Sequence, residues 1–355
     1  MTGPARSPLA GALLVLVATV ALTLGFSLLR VPSAVLFGSL LGGMTHALTS
    51  PTEIKVPAVA FRLGQAVVGT TIGTAISVDA LRRMGDEIVP ILLVTLGTVA
   101  ISLAAGWVLA LRRDVSLVTG GFALIAGGAS GVVATARDLG ADDRVVTVVQ
   151  YLRVLLVLVT LPLVLALVFD PDSGGVDTLR SPDGPLAADL GYVAVAIVGG
   201  LMVARFVPVS TATLLAPLAI SAVVASAGWF GDVSVPEPVQ WAGYALIGVQ
   251  VGLRFTRSSL ASITRMLPAV TVLIVVMLAL SALMGAVLAW LTPVDALTAY
   301  LATTPGGLFA VLAIAADSGS DVTYVMALQL FRLLVILLLL PLLARWLGGH
   351  REPSP

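Results

Sequence analysis

Two stretches of an otherwise apolar chain carry side chains able to do chemistry. Gln150 and Arg153 are three residues apart, and Gln329 and Arg332 repeat that spacing. Three-apart residues share a helix face, so each pair would present an amide and a guanidinium together. Eleven residues before each pair's turn lies a glycine doublet: Gly127-Gly128 precedes Asp138, and Gly306-Gly307 precedes Asp317. The second doublet is introduced by Thr303-Thr304-Pro305. A helix that meets Gly-Gly is prone to release there, exposing N–H and C=O groups that membrane interiors tolerate only beside protein or a cavity. The short helix restarting after the doublet carries a positive dipole end, and with an arginine at the same depth the local field would favour an anion.

The depth follows from counting. Arg153 lies 11 residues after Asp142, as Gly127 lies 11 before Asp138. At about 1.5 Å per residue both are about 16 Å from the turn. The hydrocarbon core is about 30 Å thick, so both are expected near its middle. An intramembrane arginine costs at least about 2.5 kcal/mol, so it needs a partner. Two roles remain open: holding an anionic ligand, or satisfying loose carbonyls at the break. The substrate-binding set expected on the first role is Gly127, Gly128, Gln150, Arg153, Thr303, Thr304, Pro305, Gly306, Gly307, Gln329 and Arg332.

Between each broken helix and the helix bearing arginine runs D-x-G-x-D: Asp138, Gly140 and Asp142, then Asp317, Gly319 and Asp321. Asp and Gly form turns, and an Asp just before a helix caps it, so these six residues are expected to build wet turns at the membrane surface.

These constellations belong to a repeat. A shift of 179 residues aligns Gly127–Leu163 with Gly306–Leu342 at 16 of 37 positions, among them Gly, Asp, Gln, Arg and Pro pairs. The same shift pairs Gly64, Gly69 and Gly73 with Gly243, Gly248 and Gly252. For these last glycines, close helix packing is the expected role. The polar stretch 170–189, rich in Asp, Gly, Pro and Ser, separates a first membrane repeat (1–169) from a second (190–349), with a short tail at 350–355.

Composition sets the solvent. The chain is 58% hydrophobic and 11% charged, far below the roughly one quarter charged in soluble proteins. Its mean hydropathy is +1.08. Unbroken apolar runs such as 91–111 and 333–347 point to membrane helices rather than the alternating strands of a β-barrel. The expected fold is an all-α polytopic membrane protein of two tandem repeats, each of five or six helical segments with one Gly-Gly-broken helix. The expected segments are 9–29, 31–48, 56–78, 88–111, 115–137 and 143–169, then 190–206, 209–229, 238–253, 267–291, 296–316 and 322–347. The first reads as a spanning helix rather than a signal peptide, because its apolar run is too long and ends at Arg30. Ten to twelve crossings fit. Arg82 and Arg83 in one loop match Arg254, Arg257 and Arg265 in another, but terminal arginines oppose the orientation these favour, leaving parallel and inverted repeats both open.

Composition also excludes. The chain has no cysteine, two histidines and zero net charge. It therefore lacks disulfides, thiolate metal sites and a basic footprint for nucleic acid. No Asp or Glu falls mid-segment, which argues against a carboxylate-based cation or proton antiporter. Neither catalytic residues nor a metal or cofactor site is expected. Lys55 is the one lysine beside 18 arginines, a bias suited to a GC-rich bacterial genome.

At the stretches 127–164 and 303–343 the sequence resembles the AbrB family of duplicated bacterial membrane proteins. The carriers are T-x-P-G-G, D-x-G-x-D, Q-x-x-R and the following Pro in the second copy. In the first copy Ile125 and Ala126 replace the Thr and Pro, so the two copies need not act alike. The resemblance implies a multi-pass protein of the bacterial cytoplasmic membrane, in contact with lipid. The family is named for regulation of gene expression, and members are also labelled ammonia monooxygenase. Two histidines cannot supply the ligands of a copper or iron oxygenase. No loop is long enough for a DNA-binding module. The expected function is a secondary carrier of a small anionic or zwitterionic metabolite; the alternative is a membrane-embedded regulator acting indirectly, without transport.

Overall fold

A computed structural model of the chain describes residues 8–29, 31, 33–50, 54–76, 82, 84–85, 87–125, 129–169, 185–207, 211–257, 261 and 264–348. The described residues are helical throughout, without a strand, and form two matched series of helices. The first repeat gives α1 (Pro8–Leu28), α2 (Ala34–Thr49), α3 (Ala58–Thr74), α4 (Ile88–Ala110), α5 (Leu117–Ala123), α6 (Ala129–Asp138) and α7 (Asp143–Val164), the last extended by a π-helical turn, Leu165–Phe169. The second gives α8 (Leu186–Ala204), α9 (Ala212–Ser226), α10 (Glu237–Gly252), α11 (Leu267–Leu291), α12 (Ala296–Thr303), α13 (Leu308–Asp317) and α14 (Val322–Gly348). Adding 179 to the start of α6 or α7 gives the start of α13 or α14. The duplication inferred from sequence is thus a duplication of architecture.

Among the described residues six helices are long and apolar enough to cross a membrane: α1, α4, α7, α8, α11 and α14, three per repeat. The protein is a multi-pass helical membrane protein. α11 shows how such a helix is divided. Val270, Ile274, Met277, Ser281, Gly285 and Leu288 form one buried stripe at helical spacing. Val272, Val275, Val276, Leu280 and Leu283 are exposed on the other side. Water would penalise that apolar face, whereas lipid does not.

The expected segments recur, several with shifted ends, and two of the shifts have a visible cause. The polar linker ends earlier than expected: α8 begins at Leu186, so Leu186 to Asp189 are its first turn. Asp189 is buried there, because its carboxylate accepts from the Ser234 N–H at 2.8 Å and the Ser234 hydroxyl at 3.2 Å. The α2 segment also starts later, at Ala34, since Ser33 adopts a left-handed conformation with φ 54°.

The chain packs as two units, and each draws on both repeats. One unit comprises Met1–Ala80, Leu161–Arg257 and Leu308–Thr323. Its helices exchange partners between repeats: α2 packs on α10, and α3 packs on α9. Glycines set these crossings. A Cβ at Gly248 would fall 2.5 Å from Leu36 O, one at Gly252 2.8 Å from Met44 N, and one at Gly73 2.6 Å from Ser221 Cβ. Gly64 and Gly243 face each other where α3 meets α10. The expected packing role of these glycines is therefore what the structure displays.

The other unit comprises Leu81–Thr160, Ser258–Gly307 and Tyr324–Pro355. Within it α4 packs on α11, and each long helix receives a short one: α5 on α4, α12 on α11. Gly106 lets the Gly120 carbonyl approach, and Gly285, its counterpart, does the same for Ala299 and Tyr300. The short helices are capped at equivalent positions. The Ser116 hydroxyl accepts from Thr119 N–H at 3.1 Å and Asp295 from Thr298 N–H at 2.8 Å. Seven or eight residues of helix then lead from each cap to the break.

Candidate functional site

The second break is fully described. α12 ends at Thr303, four residues follow without helix, and α13 begins at Leu308. Pro305 lacks an N–H and disfavours helical geometry in the residue before it, so α12 stops there. The last carbonyls of α12 therefore lack helical partners. Arg332 and Gln329, on the buried face of α14, supply them. Arg332 Nη1 donates to Thr303 O at 3.3 Å and Thr304 O at 3.1 Å. Gln329 Nε2 donates to Leu301 O and Thr304 O, both at 3.0 Å. Arg332 Nη2 also donates to Gln329 Oε1, which locks amide and guanidinium together.

The first break is built alike where it is described. α5 ends at Ala123 and α6 begins at Ala129; Gly127 and Gly128, expected to bind substrate, lie outside the described residues. Arg153 Nη1 donates to Ile125 O at 2.7 Å and Leu124 O at 3.3 Å. Gln150 Nε2 donates to Phe122 O at 3.2 Å. These acceptors are the exact repeat counterparts of Thr304, Thr303 and Leu301.

Both arginines are 4% exposed. Among the described residues neither forms an ion pair with a carboxylate. Each acts instead as a side-chain cap for a short helix. A hydrogen bond from a charged donor contributes about 1.5–3 kcal/mol. Two such bonds offset the insertion cost of about 2.5–3.5 kcal/mol. Carbonyl capping alone is thus enough to retain an arginine at this position. It does not use the whole group: the Nε–H of Arg153, the Nε–H of Arg332 and Oε1 of Gln150 are buried without a partner among the described residues.

The two arrangements lie within one unit and are close. A Cβ at Gly307 would fall 3.4 Å from Val154 Cγ1, next to Arg153. Two like charges, in low dielectric and without a countercharge among the described residues, create a potential that an anion would relieve. The remaining expected ligands are less available. Thr303 Oγ1 donates to Ala299 O at 3.0 Å and Thr304 Oγ1 to Tyr300 O at 2.7 Å, so both hydroxyl protons are turned back onto α12. Pro305 is buried, while Gly306 and Gly307 are partly accessible.

The D-x-G-x-D turns differ between copies. In the first, Gly140 has φ 81° and closes α6, with Ala141 N–H donating to Ala136 O at 2.9 Å. Asp142 caps α7, accepting from Arg144 and Val145 N–H at 3.0 and 3.2 Å, as expected of a turn cap. Asp138 is exposed. In the second, Gly319 has φ 73° and Asp321 precedes α14, as in the first copy. Asp317 departs from the expected wet turn. It is half-buried, accepting from Ser33 Oγ at 2.6 Å and Tyr244 OH at 3.3 Å.

Sequence reasoning missed Ser33 and Tyr244. It also missed a buried polar stripe on α4, Thr95, Thr98 and Ser102, in which Thr95 Oγ1 has no partner. The stripe was signalled by polar residues at helical spacing in an apolar segment; Ser33 and Tyr244 carried no local signal.

An all-helical, duplicated, multi-pass architecture with a broken helix in each repeat defines the class of membrane protein. The sequence matches the family described as "Transition state regulatory protein AbrB" over residues 2–83 and 35–348. The chain belongs to the AbrB family. It is 32% identical over 330 residues to the Escherichia coli K12 protein named "Putative regulator AbrB", covering 93% of this chain and 94% of that protein. It is 25% identical over 294 residues to the Bacillus subtilis 168 protein named "Uncharacterized protein YhjN", covering 79% and 76%.

Proposed function

We propose that the protein is a secondary carrier, not an enzyme, in a bacterial cytoplasmic membrane, and that its substrate is a small anionic or zwitterionic metabolite held beside the two helix breaks. One observation carries this reading: among the described residues, two buried arginines have no carboxylate partner and each retains an unpaired Nε–H beside a helix break. An anion accepting from these donors would neutralise the paired charge and satisfy the buried Nε–H groups. Broken helices related by a repeat are a recurrent way of building carrier sites, and support the reading by analogy.

The test is a thermal-shift screen of the full-length protein in detergent against small carboxylates, amino acids, phosphates and amines. Arg332→Gln and Arg332→Lys variants are run alongside. The expected result is a concentration-dependent rise in melting temperature with one anion class, lost in Arg332→Gln. Those compounds then enter flux assays in proteoliposomes. No shift with any compound, together with variants that merely melt lower, would leave the arginines with capping alone.

A second reading is favoured by the printed names of the family and of the Escherichia coli relative: a membrane-embedded regulator acting through a partner, without transport. A reporter-gene effect that survives loss of all ligand binding would select it.

A further inference from the structure

The two repeats treat one aspartate differently. Asp138 ends α6 and is exposed. Asp317, its counterpart, ends α13 and is half-buried between the start of α2 and the middle of α10. Its partners are hydroxyls, from Ser33 and Tyr244. The positions equivalent to these hold Ala212 and Gln65, and Gln65 is engaged by the Thr213 hydroxyl. The first repeat therefore has no means of forming the same cluster.

Four features converge on Asp317. Its carboxylate has no basic partner among the described residues: only Ser33 and Tyr244 act on it. It stands at the C-terminus of α13, where the helix dipole is negative and opposes an anion. Its withdrawal from water further favours the neutral acid. Finally, Ser33 reaches it from φ 54°, and among the described residues Ser33 is the sole non-glycine with positive φ. A left-handed serine is strained and is kept where surrounding contacts demand it.

The neighbouring titratable groups are few. α13 packs on α3 and α10. On α3 the one ionisable side chain is Arg62, beside Phe61, which packs on Phe309 at the opposite end of α13 from Asp317. On α10, besides Tyr244, it is Glu237 in the first turn. On α2 it is His46, 13 residues beyond Ser33. None of these is a partner of Asp317.

We propose that Asp317 is a proton-binding site that the second repeat possesses and the first lacks, and that its protonation releases the end of α13 from α2 and α10. A proton from water adds to one carboxylate oxygen; no other bond changes. The neutral acid is a weaker acceptor, so the Ser33 and Tyr244 hydroxyls lose much of their hold. Deprotonation returns the proton to water and restores both bonds. A proton is favoured over a metal cation because two hydroxyls and one carboxylate fall short of the six or more oxygens a hard cation gathers. The proposal is independent of the carrier reading, because it concerns a different cluster and needs no substrate.

Infrared difference spectroscopy on the full-length protein in lipid, titrated from pH 4 to 9, tests it. The expected result is a protonated-carboxyl band that persists above the pH at which exposed aspartates have ionised. It should vanish in Asp317→Asn, survive in Asp138→Asn, and move in frequency in Asp317→Glu. Tyr244→Phe removes one donor to the charged form and should move the midpoint to higher pH. That variant keeps the carboxylate and tests the site even if Asp317→Asn fails to fold. A band unchanged by Asp317→Asn, or a midpoint untouched by Tyr244→Phe, would overturn the proposal.

Discussion

Arg153 and Arg332, 179 residues apart, make the same contact: each Nη1 donates to two successive carbonyls where a short helix runs out into a break, Leu124 and Ile125 just past α5, Thr303 and Thr304 at the end of α12. The pair converts a backbone problem into a binding opportunity. Each break frees carbonyls that lipid cannot satisfy, and one guanidinium face meets them. The same geometry leaves the Nε–H of each arginine buried and without a partner among the described residues.

Arg332→Gln should destabilise the folded protein by about 2–5 kcal/mol, because two carbonyls lose charged donors and are not reached by water. Arg332→Lys should recover only part of this, since an ammonium is a point charge without the planar fork. Reversible unfolding in mixed detergent measures both. Equal stability of Arg332→Lys and wild type would show that charge matters and fork geometry does not.

The glycine crossings make a graded prediction. Gly248→Ala and Gly73→Ala place a methyl group into backbone or Cβ atoms at 2.5–2.6 Å and should cost about 1–3 kcal/mol each. Gly25→Ala meets nothing within 4 Å inside α1 and should be neutral or stabilising by up to about 1 kcal/mol. Melting temperatures of the three variants, compared in one detergent, decide whether close approach or helix propensity governs these positions.

Asp189→Ala should be more damaging than Ser234→Ala. The aspartate loses two hydrogen bonds and leaves the Ser234 N–H without its acceptor. A cost of about 1–3 kcal/mol is expected for the former, and about 1 kcal/mol for the latter. Unfolding free energies of the two variants measure the difference.

The sequence made some of this legible for a physical reason. Gly, Pro, Asp, Gln and Arg are rare in an apolar chain, so their recurrence at one spacing located both breaks, and α6 and α13 begin one residue past each glycine doublet. The partners of the arginines were not legible, because a backbone carbonyl has no sequence signature. Asp317 looked like Asp138 because their neighbours along the chain match; what separates them is Ser33, 284 residues away, and Tyr244, 73 away. The exchange of partners between repeats was equally hidden. The glycines of α3 and α10 announce a close crossing without naming the helix that crosses.

The two glutamines should prove unequal, and the reason returns to the break. Gln150 makes one described bond, to Phe122 O, and its Oε1 is an unpaired buried acceptor. Gln329 makes the equivalent bond to Leu301 O, adds Thr304 O, and accepts from Arg332. Leucine has nearly the volume of glutamine and removes the polar atoms. At position 150 the substitution discards one hydrogen bond together with an unsatisfied acceptor, so its net cost should be small, about 1 kcal/mol or less. At position 329 it frees the Leu301 carbonyl and one guanidinium arm and leaves Thr304 O with Arg332 alone, and about 2–4 kcal/mol should be lost. Denaturation of Gln150→Leu and Gln329→Leu gives the comparison, and a double mutant with Arg332→Lys isolates the amide–guanidinium coupling. If Gln150→Leu proves as costly as Gln329→Leu, the acceptor at Gln150 has a partner in the folded protein, and the first break is as tightly closed as the second.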